Sequence, residues 1–476
     1  MKKRVCNPYL PSYEYVPDGE PHVFGDRLYV FGSHDRFNGW DYCLNDYVCW
    51  SAPTDDLSDW RFEGVIYRRT QDPWPVSKEE HYMWAPDVMR GADGRYYLYY
   101  AFEWLNRIGV AVADAPAGPY EFYGEVCYPD GTRYGGRPME TLRFDPGVLN
   151  DDGRFYLYTG FSCSWLLDIA RRRKFNMDNL GNAVVELEPD MKTIRTGPTP
   201  LIPGSGNSRG TGYEGHEIFE ASSMRKFDGK YYAVYSSVRG RELCWAVSDY
   251  PDRDFRYGGV LHDNGNVFDE SEPTIYWGNN HGGLERVNGQ FYVFGHRQTH
   301  KNEFSRQGVA EPIRFENGKF LQAEMTSQGL YGKPLPCEGG YEAGIVCYLR
   351  PEKGVVKISE KRGNRHPYIT QDGEDRECDP GQYIANVRSG TVFGYRYFEV
   401  PAGGADLTLT LRLHRANGTL RLAYTPEFQT SLSAEITGDT VRFRLTERGK
   451  QGLYFRYEGK GSIDVMTLEF GKAGEA

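Results

Sequence analysis

The strongest constraint on this chain is a hairpin that it repeats. Five times a turn of the Asp-Gly type leads straight into a strand rich in tyrosine and phenylalanine. The copies run through Gly25-Asp26 into Leu28-Tyr29-Val30-Phe31, Asp93-Gly94 into Tyr96-Tyr97-Leu98-Tyr99, Asp152-Gly153 into Phe155-Tyr156-Leu157-Tyr158, Asp228-Gly229 into Tyr231-Tyr232-Ala233-Val234-Tyr235, and Asn288-Gly289 into Phe291-Tyr292-Val293-Phe294. Asp-Gly and Asn-Gly favour the positive φ angles of a tight β-turn, so each copy reads as strand, turn, strand. The period is roughly 60 to 75 residues, the spacing of a repeat architecture and not of a single sheet. In a propeller, each such repeat would be one blade, with its first strand lining the central axis.

A second regularity accompanies the first. Between seven and nine residues before each turn glycine stands a polar residue capable of chemistry: Asp18, Asp87, Asp145, Glu220 and His281 in chain order. Strand side chains alternate with period two, so similar offsets in equivalent repeats point to equivalent places. Four carboxylates and a histidine at one station would converge on the axis.

The repeat predicts an all-β chain: a five-bladed β-propeller over residues 1–325, followed by a β-sandwich of jelly-roll type over residues 326–476. Residues 1–17 form an extended lead-in, with Pro8 and Pro11 barring helix, and would suit completion of the last blade. Beyond Cys337 the pattern becomes short alternating strands such as Leu407-Thr408-Leu409-Thr410-Leu411 and Val441-Arg442-Phe443-Arg444-Leu445, each with a half-buried periodicity.

A formal net charge of −10 speaks against nucleic acid, which needs a basic face. No run of about 18 apolar residues is present, so no membrane partner is expected. The start, MKKRVCNPYLPSYEY, has the positive charge of a signal peptide without an apolar stretch behind it. The chain as written is therefore expected to be cytoplasmic, and secreted if a leader has been trimmed. Nine cysteines without metal-type spacing read as reduced, mostly buried thiols. The oligomeric state is open.

The station residues suit glycosidic bond hydrolysis, which needs one protonated carboxyl and one ionised one. Glu220 has Ile218, Phe219 and Ala221 as neighbours, a setting that raises a carboxyl pKa. Asp18 lies in the polar turn Pro17-Asp18-Gly19-Glu20-Pro21, which keeps it ionised, and Asp145 is a third carboxylate. Trp84, Trp104, Trp165 and Trp277 are candidates to pack on sugar rings. Asp87, His281 and Arg297 are candidate substrate contacts, and His281 is also a candidate metal ligand on the axis.

These residues resemble glycoside hydrolase family 43. The resemblance is carried by Asn7-Pro8 ahead of the Asp18 turn, Trp84-Ala85-Pro86-Asp87, Phe144-Asp145-Pro146, Phe219-Glu220 before the Gly-Lys-Tyr-Tyr hairpin, and Asn279-Asn280-His281-Gly282, over roughly residues 5–320. It implies a five-bladed propeller that hydrolyses with inversion, with Asp18 as general base, Asp145 tuning and orienting the acid, and Glu220 as general acid. It implies no cofactor for the chemistry, and a structural calcium ion or a water cluster beside His281. Family members carry Ala-Asp-Pro at the base. Here counting back from the hairpin selects Asp18, whereas matching the carboxylate-proline pair selects Glu20. The region after 335, with Tyr368-Ile369-Thr370-Gln371 and Val392 to Phe398, resembles the family 6 carbohydrate-binding sandwich. The implied activity is on hemicellulose- or pectin-derived oligosaccharides, as an α-L-arabinofuranosidase or, alternatively, a β-xylosidase. A non-catalytic sugar-binding propeller and a retaining, fructan-active one are the competing readings.

Overall fold

The computed structural model describes residues 5–74, 81–138, 140–162, 177–266, 269–360, 366–377 and 380–471. Five four-stranded antiparallel sheets follow one another along the chain, each with its strands in sequence order. Blade one comprises Glu20–Phe24, Arg27–Phe31, Tyr47–Pro53 and Arg61–Tyr67. Blade two comprises Asp87–Arg90, Tyr96–Ala101, Ile108–Ala113 and Glu121–Glu125, and blade three Gly147–Asp151, Arg154–Thr159, Gly181–Leu187 and Ile194–Pro203. Blade four is built from Ile218–Phe227, Lys230–Ser237, Glu242–Ser248 and Arg256–Asp263, and blade five from Leu284–Val287, Gln290–Gln298, Arg306–Glu316 and Lys319–Leu321.

The repeated hairpin is the inner pair of each blade. In blades three, four and five both turn residues take positive φ: Asp152 and Gly153 at 52° and 91°, Asp228 and Gly229 at 50° and 77°, Asn288 and Gly289 at 49° and 84°. That is the backbone which Asp-Gly and Asn-Gly tolerate best. The aromatic residues of the second strands then face the neighbouring blades. Five separate apolar clusters fill the five seams. Phe31 meets Leu98 and Tyr100 between blades one and two, and Tyr99 meets Leu157 between two and three. Tyr158 meets Tyr235, Val234 meets Val293, and Phe294 meets Val30 across the remaining seams, the last of which closes the ring. Near the axis the inner strands approach so closely that a Cβ added at Gly147 would stand 1.9 Å from the Ser222 carbonyl oxygen.

The lead-in does not complete the last blade. Blade five takes its outer strand, Lys319–Leu321, from its own repeat. The ring is instead latched by a parallel bridge between Gly19 and Gly282 and by the Asn7 side chain. Asn7 Nδ2 donates to Glu311 Oε1 at 2.8 Å and to the Thr326 carbonyl at 3.0 Å, while its Oδ1 accepts from the Ala310 amide at 2.9 Å.

Beyond blade five the chain forms a ten-stranded sheet dominated by two long strands, Ala405–Ala423 and Gly449–Gly471. Both bend over a single core. Leu407, Leu409 and Leu411 face it at odd positions and Leu420 and Leu422 at even ones, and the phase changes at a bulge between His414 and Asn417. The core also takes in Ile275, Val309 and Met325 of the preceding part of the chain, so the two halves share buried apolar surface. Among the described residues no helix is long and apolar enough to cross a membrane. All seven described cysteines are free thiols.

Candidate active site

At the axial end where the inner strands begin lies a cavity of about 340 Å³, within the range of small-molecule sites. Asp18, Trp84, Asp145, Glu220 and His281 all line it. Measured from the last residue of each innermost strand, four of them share one position: Asp18, Trp84, Asp145 and His281 stand six residues before Phe24, Arg90, Asp151 and Val287. Glu220 stands seven before Phe227, and a bulge absorbs the extra residue, so that Glu220 pairs with Ser236 while Ser223 pairs with Val234. The bulge places Ala221 at φ 64°. Asp18 and Asp145 are themselves left-handed, at φ 57° and 47°.

Asp87 does not belong to this station. The hairpin of blade two has a five-residue loop, Gly91 to Arg95, where the other four have two residues, so counting back from Gly94 stops too far along the strand. Asp87 sits below the cavity, fully buried. It accepts from the Val88 and Val148 amides at 2.7 and 2.8 Å and meets His22 Nε2 at 2.6 Å. Glu20 is in the same lower layer, held by Arg225 at 3.0 Å and Ser223 at 2.8 Å. Of the two candidate bases, only Asp18 reaches the cavity.

Arg297 likewise does not line the cavity. It is fully buried at the junction of the two halves, donating to the Gly344 carbonyl at 2.8 Å and to Gln382 at 3.0 Å. Strand alternation explains the outcome: His296 and Arg297 point to opposite faces, and the cavity side is the His296 side. His296 Nδ1 lies 3.1 Å from Asp18 Oδ1. The arginine that does serve the site is Arg306, which the repeat did not mark because it opens the third strand of blade five. Its Nη1 donates to Asp18 at 3.0 Å, and its Nε and Nη2 form a two-pronged pair with Asp35 at 2.9 and 3.0 Å.

The aromatic side of the cavity is continuous. Trp84 packs against Trp104 and Phe144 at 5.6 and 5.0 Å between ring centres, Phe144 against Phe161 at 4.9 Å, and Phe161 against Phe219 at 5.0 Å. Trp277 stands outside this wall, and Trp165 lies outside the described residues.

These surroundings separate the carboxyls. Burial alone would raise Asp18, but Arg306, the hydrogen bond with His296 and the nearby His281 outweigh it and hold Asp18 far below the usual carboxylate range. Burial and the negative charge of Asp18 push Glu220 up to about 7, against the pull of Arg306, Lys357 and the Asn279 amide. Asp145 is pushed well up by burial, Glu220 and Asp18, opposed by the Ala221 amide, 3.3 Å from Oδ2. Asp145 and Glu220 thus titrate as a pair that keeps a proton where an isolated carboxyl would lose it. His281 Nδ1 stands 3.8 Å from Asp18 and 3.7 Å from Asp145, and burial lowers it to about 4, so the ring is neutral at pH 7. An ionised carboxylate and a carboxyl that keeps its proton, facing one cavity with an aromatic wall, can activate water on one side and donate a proton on the other.

The donors near His281 do not fit directly bound calcium. That ion takes six to eight oxygen ligands. Here the neighbours are ring nitrogens and two carboxylates, and the Asp18 carboxylate is already engaged by Arg306 and His296.

Residues 15–320 match the model of glycosyl hydrolases family 43. A xylosidase/arabinosidase of Thermoclostridium stercorarium is 44% identical over 98% of this chain and 99% of its own length. A xylosidase/arabinosidase of Bacteroides ovatus is 29% identical over 60% of this chain and 87% of its own. Among solved structures, a family 43 enzyme of Xanthomonas citri complexed with xylose superimposes with a TM-score of 0.53, at 24% identity, over 69% of this chain and 95% of that one. With the propeller, the paired carboxyls and a match that takes in most of its length, this chain belongs to glycosyl hydrolase family 43 and is an inverting glycosidase.

Proposed function

We propose that the cavity removes α-L-arabinofuranosyl residues from hemicellulose- or pectin-derived oligosaccharides, with Glu220 as general acid, Asp18 as general base and Asp145 as the group that orients Glu220. The observation that carries this is the opposite shift of two buried carboxyls in one cavity, Asp18 held far below the usual carboxylate range and Glu220 raised to about 7, so that Glu220 keeps a proton long after Asp18 has lost its own. Arg306 keeps Asp18 charged. Asp145 bonds the Ala221 amide and so fixes the backbone beside the acid. His281 stands as a neutral ring beside the two aspartates, and chelation is expected to leave the rate unchanged. β-Xylosidase activity is the second reading, favoured by the double name of the relatives from Thermoclostridium stercorarium and Bacteroides ovatus.

Residues 326–476 are proposed to be a sandwich of the carbohydrate-binding family 6 type that works here as a structural partner of the propeller, a role supported by the shared core. The test of the activity is hydrolysis of nitrophenyl α-L-arabinofuranoside, β-D-xyloside and β-D-galactoside, with the first-released anomer followed by NMR. Release of an inverted sugar from the arabinofuranoside faster than from the xyloside is expected. A faster xyloside exchanges the two readings, and no release from any substrate removes both.

A further inference from the structure

The propeller does not enclose its cavity alone. Lys357, Ile358 and Ser359, which lie beyond the last blade, line it beside Gly278 and Asn279. They are fixed there by a strand-like contact: Lys357 bridges Trp277 in parallel, and the Ile358 amide donates to the Trp277 carbonyl at 2.8 Å. Ile358 is 3% exposed and serves as the anchor, after which the chain turns into the short 3-10 segment Ile358–Glu360. Lys357 is half-buried, with its ammonium 5.9 Å from the Trp277 ring centre. Its positive charge acts on Glu220. Three acidic side chains, Asp41, Glu103 and Glu303, line the same cavity. A proton donor must reach the glycosidic oxygen, so the space beside Glu220 is where the leaving sugar sits. An ammonium there can donate to a hydroxyl oxygen.

We propose that Lys357 is a positioning residue of the hydrolytic site, supplied by the C-terminal domain, which holds a hydroxyl of the leaving sugar beside Glu220. The proposal rests on Glu220 being the acid. The groups facing Glu220 are Asp18, Asp145, Arg306, Asn279, Tyr42 and Lys357. Burial and Asp18 favour its protonated form, and the two cations favour its ionised form. Loss of Lys357 therefore keeps the acid protonated to higher pH.

Lys357→Met and Lys357→Arg in the full chain test this, with a nitrophenyl glycoside and with an oligosaccharide whose leaving group is a sugar. In the methionine variant KM for the oligosaccharide should rise about two- to tenfold, the range of one lost hydrogen bond. KM for the aryl glycoside should stay near the parent value, and the alkaline limb of kcat/KM should move to higher pH. Arginine should restore both properties. A missing difference between the two substrates, or an alkaline limb that stays in place, overturns the proposal. Glu220→Gln is measured alongside: if it keeps parent rates on the oligosaccharide, the acid assignment fails, whatever Lys357 does.

Discussion

On the proposed roles, three side chains divide the work of the cavity, and each has its own signature. Glu220→Gln leaves no proton for the departing oxygen. Turnover of an oligosaccharide should fall by about 10²- to 10⁴-fold, the usual share of a general acid, while an activated aryl glycoside, whose leaving group departs unaided, should lose much less. Asp18→Asn should abolish turnover of both, because water must be activated whatever leaves; near-parent rates on either substrate would sink the base assignment. The pH profile follows from the two environments. Glu220, raised to about 7, is active when protonated, so kcat/KM should fall as pH rises through about 7. Asp18 is active when ionised and is held far down, so its acid limb should lie below the normal carboxylate range. Arg306→Met should bring that limb up into the measurable range, because burial would then be opposed only by the histidines. It should also cost about 3–5 kcal/mol of stability, since Asp35 and Asp18 both lose their buried partner. Urea unfolding of the variant and kcat/KM against pH check the two halves of this expectation; Arg306→Lys, which keeps the charge, should leave the acid limb low.

At the scale of the element, the innermost strand and its approach form the unit that places chemistry. One position, six residues before the strand's end, delivers Asp18, Trp84, Asp145 and His281 to the same axial end, and the bulge at Ala221 brings Glu220 into line with them. Ala221 is buried with φ 64°, a backbone region that a β-branched side chain tolerates poorly. Ala221→Val should therefore straighten or strain the bulge, lowering kcat for the oligosaccharide together with thermal stability, whereas Ala221→Gly should keep both. Equal behaviour of the two variants in kinetics and calorimetry would show that the bulge does not aim Glu220. The hairpins were legible in the sequence because Asp-Gly turns and aromatic strands are local signals. The station was legible wherever the turn had two residues. It failed at Asp87 because the longer loop of blade two shifts the count, which also hid that Trp84 shares the position of the acids. The distinction between Asp18 and Glu20 was legible from the count back from the hairpin, but the fate of Glu20 was not. Its partners, Arg225 and Ser223, come from three blades further on.

The whole molecule is a ring latched to a second core, and this level was least legible, because its contacts join residues far apart in sequence. Arg306 reaches Asp18 and Asp35 from the other end of the ring, and Lys357 reaches the cavity from beyond it. Arg297 shows what the second core does. Its guanidinium is fully buried yet donates to the Gly344 and Val346 carbonyls and to Gln307 and Gln382, tying blade five to the C-terminal sheet. Burial lowers it to about 10, which leaves it charged at neutral pH. Arg297→Met roughly keeps the reach of the side chain but removes the donor from the Gly344 and Val346 carbonyls and the Gln382 amide oxygen, while Gln307 keeps its bond from Gln382, at a cost on the order of 3 kcal/mol. The shared core of Ile275, Val309 and Met325 with the C-terminal strands means that the parent chain should unfold in one calorimetric transition. In Arg297→Met that transition should move to lower temperature or divide in two as the halves part. Because residues 357–359 follow the Gly344–Val346 segment that Arg297 holds, KM for an oligosaccharide should rise in this variant while the aryl glycoside is little affected. A parent-like transition with parent-like KM would mean that the junction is held by its apolar surface alone and that the buried arginine contributes nothing to it.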